Sequence, residues 1–129
     1  MTTDNPGVWP CLMYRDAEAA RLFLTEVFGF TETLTVRDND RIAHAEVKWP
    51  EGGGVMYGSA GNNPDYPQPV PGTQWVCVYT KDPDVVYRRA VEAGAKIVTE
   101  PYDTDYGAHN VGIADSEGNI WTFGTYQGA

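Results

Sequence analysis

Histidine and cysteine are scarce in this chain, with two of each among 129 residues, and basic side chains number 9 against 18 acidic ones. Each shortage removes a class of function. At a formal charge of −9, long-range repulsion opposes docking on a nucleic-acid backbone or an anionic membrane, whereas a neutral or cationic small ligand suits that field. Cys11 and Cys77 cannot build the disulfide framework of a small secreted domain. Both fall inside apolar strand-like runs and read as buried thiols of a cytoplasmic protein. No window approaches the ~20 apolar residues of a membrane span, and the opening MTTDNPG has neither the basic nor the apolar region of a secretion signal. GxSxG, HExxH and P-loop motifs are missing, and Gly52-Gly53-Gly54 leads into a strand where phosphate binding would need a helix.

What is present is one pattern written twice. Val8 to Tyr14 is short, apolar and strand-forming, and stops at Arg15-Asp16, where Asp16 can cap a helix with Glu18 in its positive first turn. Ala20, Phe23, Leu24, Val27 and Phe28 then recur at helical spacing, and Gly29 ends the run. Residues 31–37, 42–49 and 55–59 read as three strands separated by Asp38-Asn39-Asp40 and Pro50 to Gly54. The second copy opens with Gln74 to Thr80, is capped by Asp82 with Pro83 at the first helical position, and closes its helix at Gly94. Three further strands follow, about 96–102, 108–114 and 120–126. The expected fold is α+β: a single domain over 1–129, with one βαβββ module at 8–59, a proline-rich connector at 60–73 and a second module at 74–126. Two such units can curl toward each other and leave a cleft between them.

Each helix covers one face of its sheet, so alternate strand residues face the other way. That puts Trp9, Cys11 and Met13 on the open face of the first opening strand, and Trp75, Cys77 and Tyr79 on that of the second. In the closing strands the open-face candidates are Val55, Tyr57 and Ser59, then Ile120, Thr122 and Gly124. Four Trp, eight Tyr and four Phe give an aromatic interior able to stack on a ligand's rings or hold a cation. The expected ligand-binding set is Trp9, Cys11, Met13, Tyr57, Tyr66, Trp75, Cys77, Tyr106, His109 and Thr122, with Tyr66 reaching over the ligand from the connector. His44 and Glu46, two apart on one strand, read as a solvated sheet face before they read as metal ligands. Asp103 and Asp105 read as turn residues that could attract a cation at the cleft rim.

MYRDAEAARLFLTEVFGF, VEAGAKIVTEPYDTDYG and ADSEGNIWTFGTY give the chain a resemblance, from Pro10 to Tyr126, to the vicinal-oxygen-chelate superfamily of glyoxalase I, extradiol dioxygenases and bleomycin-resistance proteins. In the last of these runs Ser116 replaces the usual proline of the family's closing hairpin. The resemblance implies two βαβββ modules in a curved mixed sheet around a cleft, assembled as a homodimer. Metal-dependent members take His and Glu ligands from the opening and closing strands, and those positions fall here at Trp9, Tyr57, Trp75 and Thr122. The implied reading is therefore a protein with no metal and no cofactor, not an enzyme, that traps an aromatic, antibiotic-like natural product, neutral or cationic, by sequestration. Pro10 falls where bleomycin-type binders have a proline at the edge of an exchanged N-terminal strand, so Val8-Trp9 could reach a neighbour. Two alternatives stay open: a metal-independent isomerase or cyclase of a polyketide-like substrate, using His109, Tyr57 or an acid of the Asp103 to Asp105 turn, and a metal-dependent lyase or dioxygenase built around His44 and Glu46.

Overall fold

Capping and strand alternation place the elements close to where the sequence puts them. The computed structural model describes residues 5–129; the opening tetrapeptide, part of the segment read above for targeting signals, lies outside them. The first module runs β1 (Cys11–Tyr14), α1 (Ala17–Leu22), a π-helical continuation (Phe23–Phe28), β2 (Thr31–Asp38), β3 (Arg41–Lys48) and β4 (Gly54–Ser59). The second runs β5 (Trp75–Tyr79), α2 (Pro83–Glu92), β6 (Ile97–Asp103), β7 (His109–Ala114) and β8 (Ile120–Gly124). Their sheets have the matching orders β1-β4-β3-β2 and β5-β8-β7-β6. In each, the opening strand pairs with the closing strand in parallel, which a helical crossover permits, and the other pairs are antiparallel. Among the described residues no helix is long and apolar enough to cross a membrane.

The two helix starts differ. Asp16 accepts a hydrogen bond from the Ala19 N–H at 3.1 Å, whereas Asp82, expected to cap α2, makes no side-chain bond to it. Pro83 at the first position removes one donor, and the Asp82 N–H is taken up by Thr80 Oγ1. Asp16→Ala is thus expected to cost about 1 kcal/mol and Asp82→Ala only a few tenths, a contrast that urea midpoints of the two variants would check. Each start is also held by the other module. Glu117, in the turn before β8, accepts the Arg15 and Asp16 N–H groups at 2.8 and 2.6 Å, and Glu51, in the turn before β4, accepts the Lys81 N–H at 2.9 Å.

Periodicity alone did not reveal that the first helix widens into π geometry from Phe23 onward. Thr25 Oγ1 bonds back to the Arg21 carbonyl there, and Gly29 closes the segment at φ +94°, a left-handed conformation that glycine adopts without steric cost. The widened turn sets the rings of Phe23 and Phe28 edge to face at 5.0 Å.

The helix sides of the two sheets share one core, and the open faces are left on the other side. Phe28 stands 4.8 Å from Phe123 and 5.3 Å from Trp121; Phe30 lies 5.0 Å from Trp49 and 5.6 Å from Trp121. Much of the aromatic content thus stacks on itself, filling the contact between modules. Beneath it Asp115, buried in the turn before β8, accepts five hydrogen bonds: from Tyr14 Oη (2.7 Å), Trp121 Nε1 (3.0 Å), Asn119 Nδ2 (3.0 Å) and the Glu117 and Asn119 N–H groups. Burial, followed by the Asp115 charge, pushes the Tyr14 hydroxyl pKa far up, so it stays a donor.

Candidate functional site

The open face of the second sheet forms a groove of about 520 Å³. Strand alternation builds it: Val76 and Val78 turn toward the core, leaving Trp75, Cys77 and Tyr79 of β5 on the other side, beside Thr122 of β8 and Asn110 of β7. Trp75, 71% exposed, is oriented by a hydrogen bond from its Nε1 to Thr122 Oγ1 at 2.9 Å. Across the groove Tyr106, from the turn between β6 and β7, meets Tyr126 edge to face at 5.7 Å, and Tyr102 of β6 completes the wall. Gly124 keeps the floor low, because a Cβ there would run into the Asn110 side-chain oxygen. The lining among the described residues carries no charged side chain. Such a surface offers π faces, phenol hydroxyls and the amides of Asn110 and Gln127, which suits a flat aromatic guest or a soft cation.

Trp75, Cys77, Tyr106 and Thr122, expected from sequence, converge on this groove. Cys11 and Met13 lie on the other sheet, on its open face. Trp9 precedes β1 and packs against Gly54, where a Cβ would come within 2.6 Å of its ring. The thiols of Cys11 and Cys77 are exposed, correcting the expectation of buried cysteines: both stand on strand faces turned away from the helices, and both line one crevice of about 280 Å³ between β1 and β5. Tyr66 is 67% exposed on the connector and does not line the groove.

Tyr57 and His109 must be reassigned. Tyr57 is 1% exposed, pairs with Leu12 in register and meets the Tyr14 ring at 6.0 Å, so it belongs to the core. The β4 face was misread by one residue, because Val55 and Tyr57 suit either side of a sheet and Gly54, Met56 and Gly58 gave no contrary signal. Burial pushes the Tyr57 hydroxyl up to about 12, and its oxygen has no hydrogen-bond partner among the described residues. His109 follows the core-facing alternation of Val111 and Ile113 and points at α2, with both ring nitrogens engaged by carboxylates. Neither side chain reaches the groove as an acid or base.

Groove residues absent from the expected binding set include Tyr79, Tyr102, Asn110 and Tyr126. Tyr79 was already placed on the open face; Tyr102 enters through its register opposite Asn110, after a shift in the β6–β7 pairing that the sequence does not display. Tyr126 and Gln127, whose Nε2 bonds to Tyr79 Oη at 3.2 Å, lie beyond the last strand, where alternation gives no direction.

The family's metal positions can now be set by register. Cys11 pairs with Met56 and Cys77 with Thr122, so Met56, not Tyr57, is the counterpart of Thr122. Trp9, Met56, Trp75 and Thr122 offer no imidazole or carboxylate and do not fit the ion. His44 Nε2 meets Glu46 Oε2 at 2.8 Å, and among the described residues no three His, Cys, Asp or Glu side chains could hold a metal together.

Known proteins agree with this architecture. No curated protein sequence matches the chain. Among solved structures, TioX from Micromonospora sp. ML1 is 31% identical, with 92% of this chain and 98% of TioX covered at a TM-score of 0.75. A glyoxalase/bleomycin resistance protein from Streptomyces sp. CB03234 is 22% identical, over 88% of this chain and 94% of its own, at a TM-score of 0.67. A glyoxylase/bleomycin resistance protein/dioxygenase domain from Frankia sp. EAN1pec is 19% identical, over 89% and 92%, at 0.69. Residues 8–123 match the family model of the same description, and the chain belongs to the Glyoxalase/Bleomycin resistance protein/Dioxygenase superfamily.

Proposed function

We propose that this protein binds an aromatic, antibiotic-like natural product in the second-sheet groove and protects by lowering its free concentration, without making or breaking a bond. The observation that carries the reading is the wall of Trp75, Tyr79, Tyr102, Tyr106 and Tyr126 around an uncharged space of about 520 Å³, within the size range of small-molecule sites. Membership of a superfamily whose description includes bleomycin resistance supports it. For sequestration, a small dissociation constant and enough protein suffice.

The working form in this proposal is a homodimer. The groove is open to solvent on one side, and the first sheet offers a mixed open face to cover it: Leu34 and Val36 of β2 are exposed and pair with the polar Glu46 and His44, in the row that continues to Met56 and Cys11. A second copy would bring that face to the groove.

Titration with a broad panel of aromatic antibiotics, following tryptophan fluorescence, tests the reading, with sedimentation run alongside to report the mass. Trp75→Ala is expected to weaken binding at least roughly tenfold, the loss of a central aromatic anchor, while stability changes by less than about 0.5 kcal/mol because the ring is exposed. No saturable signal with any compound would sink the proposal. Ligand recovered in altered chemical form would replace sequestration by catalysis.

A further inference from the structure

The turn that presents Tyr106 to the groove, residues 104–108, is tied down at its base on the opposite side of the sheet. His109 Nδ1 lies 2.8 Å from Asp103 Oδ1 at the end of β6, and its Nε2 lies 2.9 Å from Asp84 Oδ1 in the first turn of α2. A neutral imidazole has one donor and one acceptor, and only imidazolium donates from both nitrogens. Both partners here are carboxylate oxygens. The arrangement is therefore complete for the charged ring and one bond short for the neutral ring, whose lone pair would face an anion.

Asp84 from α2 and Asp103 from β6 are the charged groups acting on the ring. The other neighbours are neutral: Thr125, after β8, accepts the His109 N–H, and Thr104 holds the turn through Ala108. Asp105 stands exposed at the tip.

We propose that His109 is a protonation-dependent positioning residue: as imidazolium it pins the Tyr106 turn to α2, and on losing its proton it frees the turn, so that the groove holds its ligand less well as pH rises. The ligand clause rests on the groove being the binding site proposed above; the latch can be observed without any ligand. Hydrogen bonds to Asp84, then to Asp103, raise the His109 pKa above its ordinary 6.5. The added hold is accordingly complete below about pH 6.5 and lost as pH rises through the higher folded value. Asp103, with its side chain 86% exposed against 47% for Asp84, is the partner that parts, since water solvates it with least rearrangement, so the turn is freed at its β6 end while its β7 end stays on Asp84.

The test uses the intact, unliganded protein. The imidazole ¹⁵N signals of His109 and His44, assigned by their loss in H109Q and H44Q, are followed from pH 5 to 9, together with hydrogen exchange at the Gly107 and Ala108 amides, which bond to Thr104. His109 is expected to titrate above 6.5. Protection of the two amides, corrected for intrinsic exchange, should fall at least threefold across that midpoint, and Asp103→Asn should move midpoint and step together to lower pH. A midpoint at or below 6.5, or protection with no step there, would overturn the latch. A second arm measures binding of the aromatic dye proflavine. Affinity that falls threefold across the midpoint in the native protein and stays level in H109Q supports the coupling, and affinity level in both refutes it. Proflavine that fails to bind at every pH counts against the groove as a site for flat aromatic cations, while the exchange step still decides the latch.

Discussion

Replacing Asp115 by alanine is expected to lower the stability of the fold by at least roughly 2–6 kcal/mol, because, besides Asn119 Nδ2, two fully buried donors from opposite halves of the chain lose their acceptor at about 1–3 kcal/mol each. Those donors are Tyr14 Oη and Trp121 Nε1, one from each half of the chain, and both residues are 0% exposed. Water cannot reach either without opening the core. The backbone N–H groups of Glu117 and Asn119 lose the same acceptor, which loosens the turn that carries Glu117. Out of a total of about 5–15 kcal/mol for a domain, such a loss leaves little margin. Urea unfolding measures it as a fall in midpoint at constant slope. Tyr14→Phe combined with Asp115→Asn should recover part of the loss, since donor and charge leave together. A D115A midpoint within about 1 kcal/mol of the parent would overturn the carboxylate's role as the acceptor that joins the two halves.

Phe28→Ala should cost about 3–5 kcal/mol, the range for emptying a large buried aromatic site. Phe28 is 1% exposed and belongs to the first module, yet it packs on Trp121 and Phe123 of the second. Its loss opens a void at the join itself. The halves should therefore unfold together: tryptophan fluorescence, which reports Trp49 and Trp121, and backbone circular dichroism should shift to the same lower midpoint. Separate transitions would mean that the aromatic cluster does not couple the modules. Leu34→Ala, at an exposed site on edge strand β2, should stay within about 0.5 kcal/mol and serves as the comparison.

The doubled order of elements was legible because each copy carries its own local signals: Asp16 and Gly29 around one helix, Pro83 and Gly94 around the other. Side-chain direction was legible where a strand alternates cleanly. Trp75, Cys77 and Thr122 were placed by the valines and aromatics between them. It failed at Tyr57, where residues of both parities in β4 tolerate burial, and at His109, where the short polar run before Val111 hid the inward face. How the aromatic rings are used was not legible for another reason. Composition reports how many rings a chain has and is silent on whether they stack on a guest or on each other, and Phe28, Phe30, Trp49, Trp121 and Phe123 do the latter. Tyr102 and Tyr126 entered the groove through sheet register and a chain end, neither of which leaves a periodic trace.

Glu117 reaches back to Arg15 and Asp16 across about a hundred positions of sequence, and Asp115 reaches Tyr14 over the same span. On a ribosome adding about 5–20 residues per second, the N-terminal helix emerges several seconds before the turn that finishes it. During that interval the first module must wait with the hydroxyl of Tyr14 unclaimed and the ring of Phe28 uncovered. The first module finds these partners only when the turn carrying Asp115 and Glu117 follows it out, so the order of synthesis runs opposite to the order in which its contacts close.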